Sequence, residues 1–483
     1  MKKMLFTIVL FLLFLIVITL FVLPYGLGFV AQHKYTQIIG MLSKSNTVQV
    51  SLVRYQRGWF SSDATIKISM QMPIGLVQQT TKPFLITQHI AHGPVFSLLS
   101  GTGEKRLAVG QTLITTHAHS PFGALHMVSK VKLNGKLVGT FNAPTLQLHY
   151  TDVLHGENTA ELQGVSGKFT LSPDLQQWIA AVDIPEISIK TDTFTQQLHN
   201  THFFYNLNKS QSGLFLGKHI CTIDTMTWSA DFIPGKDLKV EKIRLVEQDA
   251  EKDRKIQAKI DAELKYVTLK NATYGPQQLQ ITIRDLDVPA LLAWTQALHP
   301  FSDTPLSSLQ KYQKYRQLLL NLLSRGVQLK IEKLALVTPW GTPSLVAQAR
   351  IAPRPMSTFI DLMAGTQSRV AVHLPASFLM RVLERVVLPY MQAPVSAVTK
   401  TTPPSAMEMA QRQITEWIHN KWLLPEGDGY TMVILYQNQH MTINNQPLIQ
   451  IGTAPQQPSG TTPPIGGQQL FTPVTPVHVE SDA

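Results

Sequence analysis

The apolar positions of this chain fall into three patterns, and their order predicts the architecture. The first is a solid block: the run from Met4 to Leu23 carries no charge, and its only hydroxyls, Thr7 and Thr19, can bond back to helix carbonyls. A helix of that length rises about 30 Å, the thickness of a bilayer's hydrocarbon core. The second is alternation. Ala64, Ile66, Ile68, Met70 and Met72 are interleaved with Thr65, Lys67, Ser69 and Gln71, the period of a half-buried antiparallel strand. The third is the helical stripe, as in Leu306, Leu309, Tyr312, Leu319, Leu320 and Leu323, closed by Gly326.

Taken in order, these patterns divide the chain. Residues 1–24 form a cytoplasmic tip and transmembrane anchor, with Lys2 and Lys3 held on the cytoplasmic side and everything after Pro24 across the membrane. A cleaved signal peptide fits less well, because the run is long and no small-x-small cleavage site follows it. Residues 25–46 extend as a juxtamembrane helix. From 47 to 451 strand signals dominate, at 47–55, 64–72, 84–91, 107–117, 127–133, 136–141, 145–150, 167–171, 178–190, 219–228, 238–248, 256–269, 278–288, 327–337, 344–351, 430–436 and 440–443. Asn134-Gly135 is the strongest hairpin signal. Helical pairs interrupt at about 288–326 and 375–424; the second carries the stripe Leu379, Val382, Leu383, Val386 and Val387. Successive strands without intervening helices predict a mainly β (α+β) fold: an elongated, curved, mostly antiparallel sheet with two helical hairpin insertions. Residues 452–483, rich in Pro, Gly, Gln and Thr, predict a disordered tail.

Between the first two strands stands Tyr55-Gln56-Arg57-Gly58-Trp59-Phe60-Ser61-Ser62, and the third strand ends at His92-Gly93-Pro94. Near the end, Leu435-Tyr436 leads through Met441-Thr442-Ile443-Asn444-Asn445 to a last apolar segment. This series resembles the YdgA-like family of bacterial envelope proteins of unknown function. That family usually has Asn-Gly at the late turn; Asn444-Asn445 still suits a positive φ. The resemblance implies an inner-membrane anchor and a periplasmic domain, and it supplies no catalytic residues. On physical grounds, Gly58 allows the hairpin to turn or bulge in a conformation closed to other residues. Trp59 and Phe60 are large apolar caps. Arg57 can lie on Trp59 or meet a lipid phosphate near the membrane.

Composition narrows the chemistry. The chain of 483 residues has a net charge of +11 but only 15 % charged residues. Its positives are scattered along strands, a pattern that suits solvated sheet faces or an anionic membrane surface rather than nucleic acid. A single cysteine, Cys221, excludes an intrachain disulfide framework and a Cys-based zinc cluster. His89, His92, His117, His119 and His126 raise a metal reading, but carboxylates near them are few and no His-Glu-x-x-His occurs. Asp285 and Asp287 share a strand face, yet they also precede a helix N-terminus. Ser166 lacks a hydrolase elbow, and no phosphate-cradling glycine loop occurs. No catalytic, metal or cofactor residue is therefore assigned, and no cofactor is expected.

The expected function is that of a non-enzymatic, inner-membrane-anchored periplasmic protein acting as an interaction or envelope-maintenance module. The alternative is a lipid-handling protein that carries acyl chains on an apolar sheet face, as AsmA-like proteins do. A metal-dependent hydrolase comes third. The expected partners are the membrane, through Met4 to Leu23, and a phospholipid or another envelope protein. Homodimerisation through a strand edge stays open, although the anchor lacks Gly-x-x-x-Gly. A continuous apolar groove open at both ends would favour lipid handling, a closed core the interaction module, and a cleft with convergent His and Asp the hydrolase.

Overall fold

A computed structural model describes residues 14, 23–43, 48–74, 77–80, 83–92, 112–120, 122–132, 134–152, 156–191, 193–230, 238–269, 272–297, 308–387 and 405–450. The expected membrane span, apart from Phe14 and Leu23, lies outside them, as do Gly93, Pro94 and the tail 452–483. No helix among the described residues is long and apolar enough to cross a membrane.

The described strands make one long antiparallel sheet. It opens with β1 (Val48–Arg57), β2 (Ser61–Ile74), β3 (Val77–Thr80), β4 (Phe84–His92), β5 (Thr112–Ser120) and β6 (Gly123–Val131). The longest strands follow: β7 (Leu137–Asp152), β8 (Gly156–Leu171), β9 (Gln177–Lys190), β10 (Phe194–Lys209), β11 (Phe215–Ala230), β12 (Leu238–Lys252) and β13 (Lys255–Leu269). After the short β14 (Ala272–Tyr274) come β15 (Gln277–Asp287), β16 (Gln328–Leu336), β17 (Ser344–Ile351) and β18 (Thr366–Pro375). The last are β19 (Leu424–Glu426), β20 (Gly429–Gln437), β21 (His440–Ile443) and β22 (Gln446–Gln450). Each long strand pairs with its chain neighbours, and β3, β14 and β19 are short returns on β2, β13 and β20. The sheet is thus an open meander whose edges are β1 and β22.

Several expectations change. The segments 136–141 and 145–150 are one strand, β7, because Pro144 sits in it without breaking the register with β8. Strand β10 (FTQQLHNTHFFYNLNK) is too rich in Gln, Asn and His to show alternation, yet it pairs along nearly its full length with β9 and β11. Strand β18 was likewise not anticipated.

Helix α1 (Leu23–Leu42) is more than a membrane-side extension. It buries Ala31, Tyr35 and Ile39, spaced one turn apart, against Val50, Ala64, Ile66, Ile86, Ile90, Ile114 and Val131 of the first strands. The first helical pair is α2 (Val288–Ala297) and α3 (Ser308–Leu323), which lie against each other and β15. Asp287 Oδ1 accepts from the Ala290 N–H at 2.9 Å and so caps α2, which explains one of the two candidate acids. A short α4 (Phe359–Gly365), missed by its lack of a long stripe, is held by a Thr358–Asp361 capping box. The second pair is α5 (Ala376–Val382), continued by a π turn at Leu383–Val387, and α6 (Ala406–His419). Leu379 and Leu383 meet Ala410 and Ile414 there, packed on Leu374, Tyr430 and Met432 of the sheet.

Candidate functional site

The first sequence motif is a tight hairpin locked to α1. Arg57 ends β1 and Ser61 begins β2, and the Gly58 N–H donates to the Ser61 carbonyl at 2.7 Å. Gly58 does not take the positive φ expected of it. Glycine is needed because a Cβ there would stand 2.8 Å from the Ser61 oxygen. The His92 N–H donates to the Phe60 carbonyl at 2.7 Å, which joins the second motif to the first. The His92 ring is fully buried and its Nε2 lies 3.0 Å from Ser62 Oγ. Burial lowers its pKa, with the nearby Trp59 main chain acting in the opposite direction. Gly28 of α1 covers the ring closely: a Cβ there would meet His92 Nδ1 at 2.9 Å. Tyr55 packs against Tyr35 with the rings tilted and their centroids 5.7 Å apart, and burial raises the pKa of both phenols. The Tyr35 hydroxyl donates to Gln88 Oε1, and Gln88 Nε2 donates to Thr116 Oγ1 at 2.8 Å, so this polar chain is satisfied inside the core.

On its outer side the same hairpin presents aromatic rings and a cation. The Arg57 guanidinium lies 3.6 Å from the Phe29 ring centroid and 5.1 Å from that of Tyr25, not on Trp59. Tyr25 and Trp59 are 4.8 Å apart.

The larger feature is one face of the sheet. Direct cross-strand partners run Gln88, Thr116, Met127, Phe141, Gly167, Val182, Phe203, Cys221. They continue Leu245, Ala262, Leu279, Leu334, Leu345, Val372, Met432. Direct partners share a face, so one apolar row extends from the ground covered by α1 to that covered by α5 and α6. Phe169 lies across Gly139, and Phe141 across Gly167; a Cβ on either glycine would collide with the ring. The helices make their main contacts at the two ends and at β15. In between, the face stays partly open: Trp178 and Leu245 are each 39 % exposed, and Leu336 40 %.

A crease crosses this sheet and preserves the face. The ladders skip Pro144, Gly164, Pro185, Asn200, Asp224 and Lys242 on six successive strands, while the pairs on either side of them keep their register. Gly164, Asn200 and Lys242 have φ of 67°, 52° and 55°. On one side of this line the apolar residues are Ala143, Val165 and Ile184, and on the other Leu146, Leu162 and Ile187, so the parity of the alternation changes. All six belong to one cluster and so share a face. Asp224 accepts from Asn200 Nδ2 at 3.1 Å and from Lys242 Nζ at 2.9 Å along the crease.

The remaining candidates are dispersed. His89 pairs with Asp63 at 2.9 Å and is exposed, whereas His92 is buried, because residues three apart on a strand leave opposite faces. The side chains of His117 and His119 lie outside the described residues. No group of three His, Cys, Asp or Glu fit to hold a metal occurs among the described residues. Ser166, Asp183 and His202 stand on adjacent strands in that order. His202 Nδ1 reaches Asp183 at 2.6 Å, but two strand spacings, about 9.5 Å, separate it from Ser166, so they do not form a nucleophile–base pair. Asp285 accepts from Gln328 Nε2 at 2.7 Å. Cys221 is half-buried in the apolar row, and burial raises its thiol pKa.

Residues 1–449 match the family described as bacterial protein of unknown function (DUF945). The chain belongs to that family. The match spans the hairpin motif and all but the last residue of the described sheet, so in this DUF945 protein they are parts of one family unit. No curated protein and no solved structure matches the chain.

Proposed function

We propose that this DUF945 protein is a membrane-anchored envelope protein that carries acyl chains on the apolar face of its sheet. The observation that supports it is the apolar row from Met127 to Met432, which helices approach at its two ends and at β15 and which stays partly open between them. An apolar sheet face is ordinarily buried against a second layer, and an extended hydrocarbon is an occupant that matches a strip without polar anchors. The run Met4 to Leu23 would hold the sheet beside its lipid source, with the bulk of the chain on the periplasmic side of the inner membrane. This takes up the lipid-handling alternative in place of the interaction module, since the face between the helices is partly open and not a closed core.

Site-specific photocrosslinking of the full chain in its own membrane tests the reading. A benzophenone side chain at Phe203 faces the row, and one at His202 the opposite side. Lipid adducts concentrated at position 203 are expected. No lipid adduct at 203, or equal labelling at both positions, would overturn it.

A further inference from the structure

We propose that Tyr25, Phe29, Arg57 and Trp59 form a seat in the headgroup layer of the bilayer, with Arg57 holding a lipid phosphate. The inference rests on the reading of residues 4–23 as a span and adds where the folded domain touches the membrane. Tyr25 follows the apolar run by two residues, so the first turn of α1 starts at the level where that run leaves hydrocarbon. At this point the structure gathers large exposed rings: Phe29 is 49 % exposed and Trp59 51 %. Tyr25 packs between them, 5.2 Å from Phe29 and 4.8 Å from Trp59. Amphipathic rings favour the membrane–water interface.

Arg57 supplies the matching charge. Its guanidinium is positioned by the Phe29 face at 3.6 Å and by the Tyr25 hydroxyl at 3.3 Å, and no carboxylate pairs with it among the described residues. A guanidinium so oriented can bind a phosphate through two parallel N–H bonds, and an anionic lipid surface attracts it further. The Gly58 turn and the His92–Ser62 contact hold the hairpin to β4, and Gly28 of α1 covers the His92 ring, so the seat would set the angle at which the sheet leaves the membrane.

The test uses the full chain in mixed phosphatidylethanolamine and phosphatidylglycerol vesicles, with lipids brominated at shallow or deep acyl positions. The difference in tryptophan quenching between wild type and Trp59→Phe isolates the Trp59 signal. That signal should be quenched about twofold more by the shallow label than by the deep one. Arg57→Gln should weaken it about twofold, and the loss should be larger when phosphatidylglycerol adds net negative charge. An alkaline wash separates the two layers of inference. If the chain resists the wash but Trp59 is unquenched, the seat is wrong and the span stands. If the wash strips the chain from the vesicles, the span fails and the seat with it. Trp59→Phe keeps a ring in the cluster, so its result decides where the seat lies even if Arg57→Gln fails to fold.

Discussion

An added methyl group at Gly28 would stand 2.9 Å from His92 Nδ1, a measure of how tightly α1 covers this buried histidine. Burial of the neutral ring has a pH consequence. Its pKa in the folded protein lies below the ordinary value of 6.5, so the unfolded chain takes up the proton first. The stability this neutral histidine contributes is therefore present above pH 6.5 and is lost as the pH falls through and below that value. Thermal unfolding of the detergent-solubilised chain should show a midpoint that drops on acidification from neutral pH. In His92→Gln, which keeps a polar partner for Ser62 but does not titrate, the slope should be shallower. An unchanged slope would mean that other groups set the acid sensitivity. At the late turn, Asn444 and Asn445 take φ of 48° and 66°, the positive values the Asn-Asn pair predicts. Asn444 does more than turn: its side chain accepts from the Val433 N–H at 2.8 Å and donates to the Lys421 and Trp422 carbonyls.

Among the elements, the crease through β7 to β12 has the clearest mechanical meaning. A residue with positive φ reverses the order in which side chains leave the strand. Gly164, Asn200 and Lys242 do this in register on β8, β10 and β12, and across the crease Ala143, Val165 and Ile184 join Leu146, Leu162 and Ile187 in one cluster. Gly164→Ala should cost about 1–2 kcal/mol from the left-handed backbone, with a further cost because its Cβ would stand 3.2 Å from the Pro185 ring. Gly427→Ala is the matched control, having φ of 59° and nothing within 4 Å of the added atom. Urea unfolding of the two variants separates backbone strain from the crease contact; equal shifts would mean that the Pro185 contact contributes nothing. Helix α1 makes a related point about elements. Its apolar positions fall every three or four residues, but Gly26, Gly28 and Gly40 make the stripe weak, and only the facing strands reveal it as core.

For the whole molecule, the open apolar face is the property that matters. Leu245 lies in the row and is 39 % exposed, so Leu245→Glu should cost about 1 kcal/mol, little enough to leave the fold intact. The same carboxylate would stand beside any acyl chain seated on Cys221 and Ala262, its direct partners. Lipid recovered with the full chain from native membranes, measured by mass spectrometry, should fall severalfold with the fold intact by circular dichroism. Retention of wild-type lipid content would argue that the face is covered by something other than lipid.

Local order in the sequence was enough to announce the anchor-like run, the β-rich class, most strands, both helical pairs and the turns at Asn134-Gly135 and Asn444-Asn445. Periodicity and turn chemistry are properties of neighbours along the chain, and they survive in one dimension. The missed features are relations between distant segments. Strand β10 is legible only through its partners, because its own alternation is blurred by polar residues. The change of parity at Pro144, Gly164, Pro185 and Asn200 looks like irregularity in each strand alone and becomes a crease only when the register aligns them. The same holds for the seat at Arg57. The motif was visible as a string, but Tyr25 and Phe29, some thirty residues earlier, join it only because α1 folds back onto the first strands. Which face is apolar, how far it extends and where helices close it depend on cross-strand register, and register is set by packing across the whole sheet rather than by any one segment.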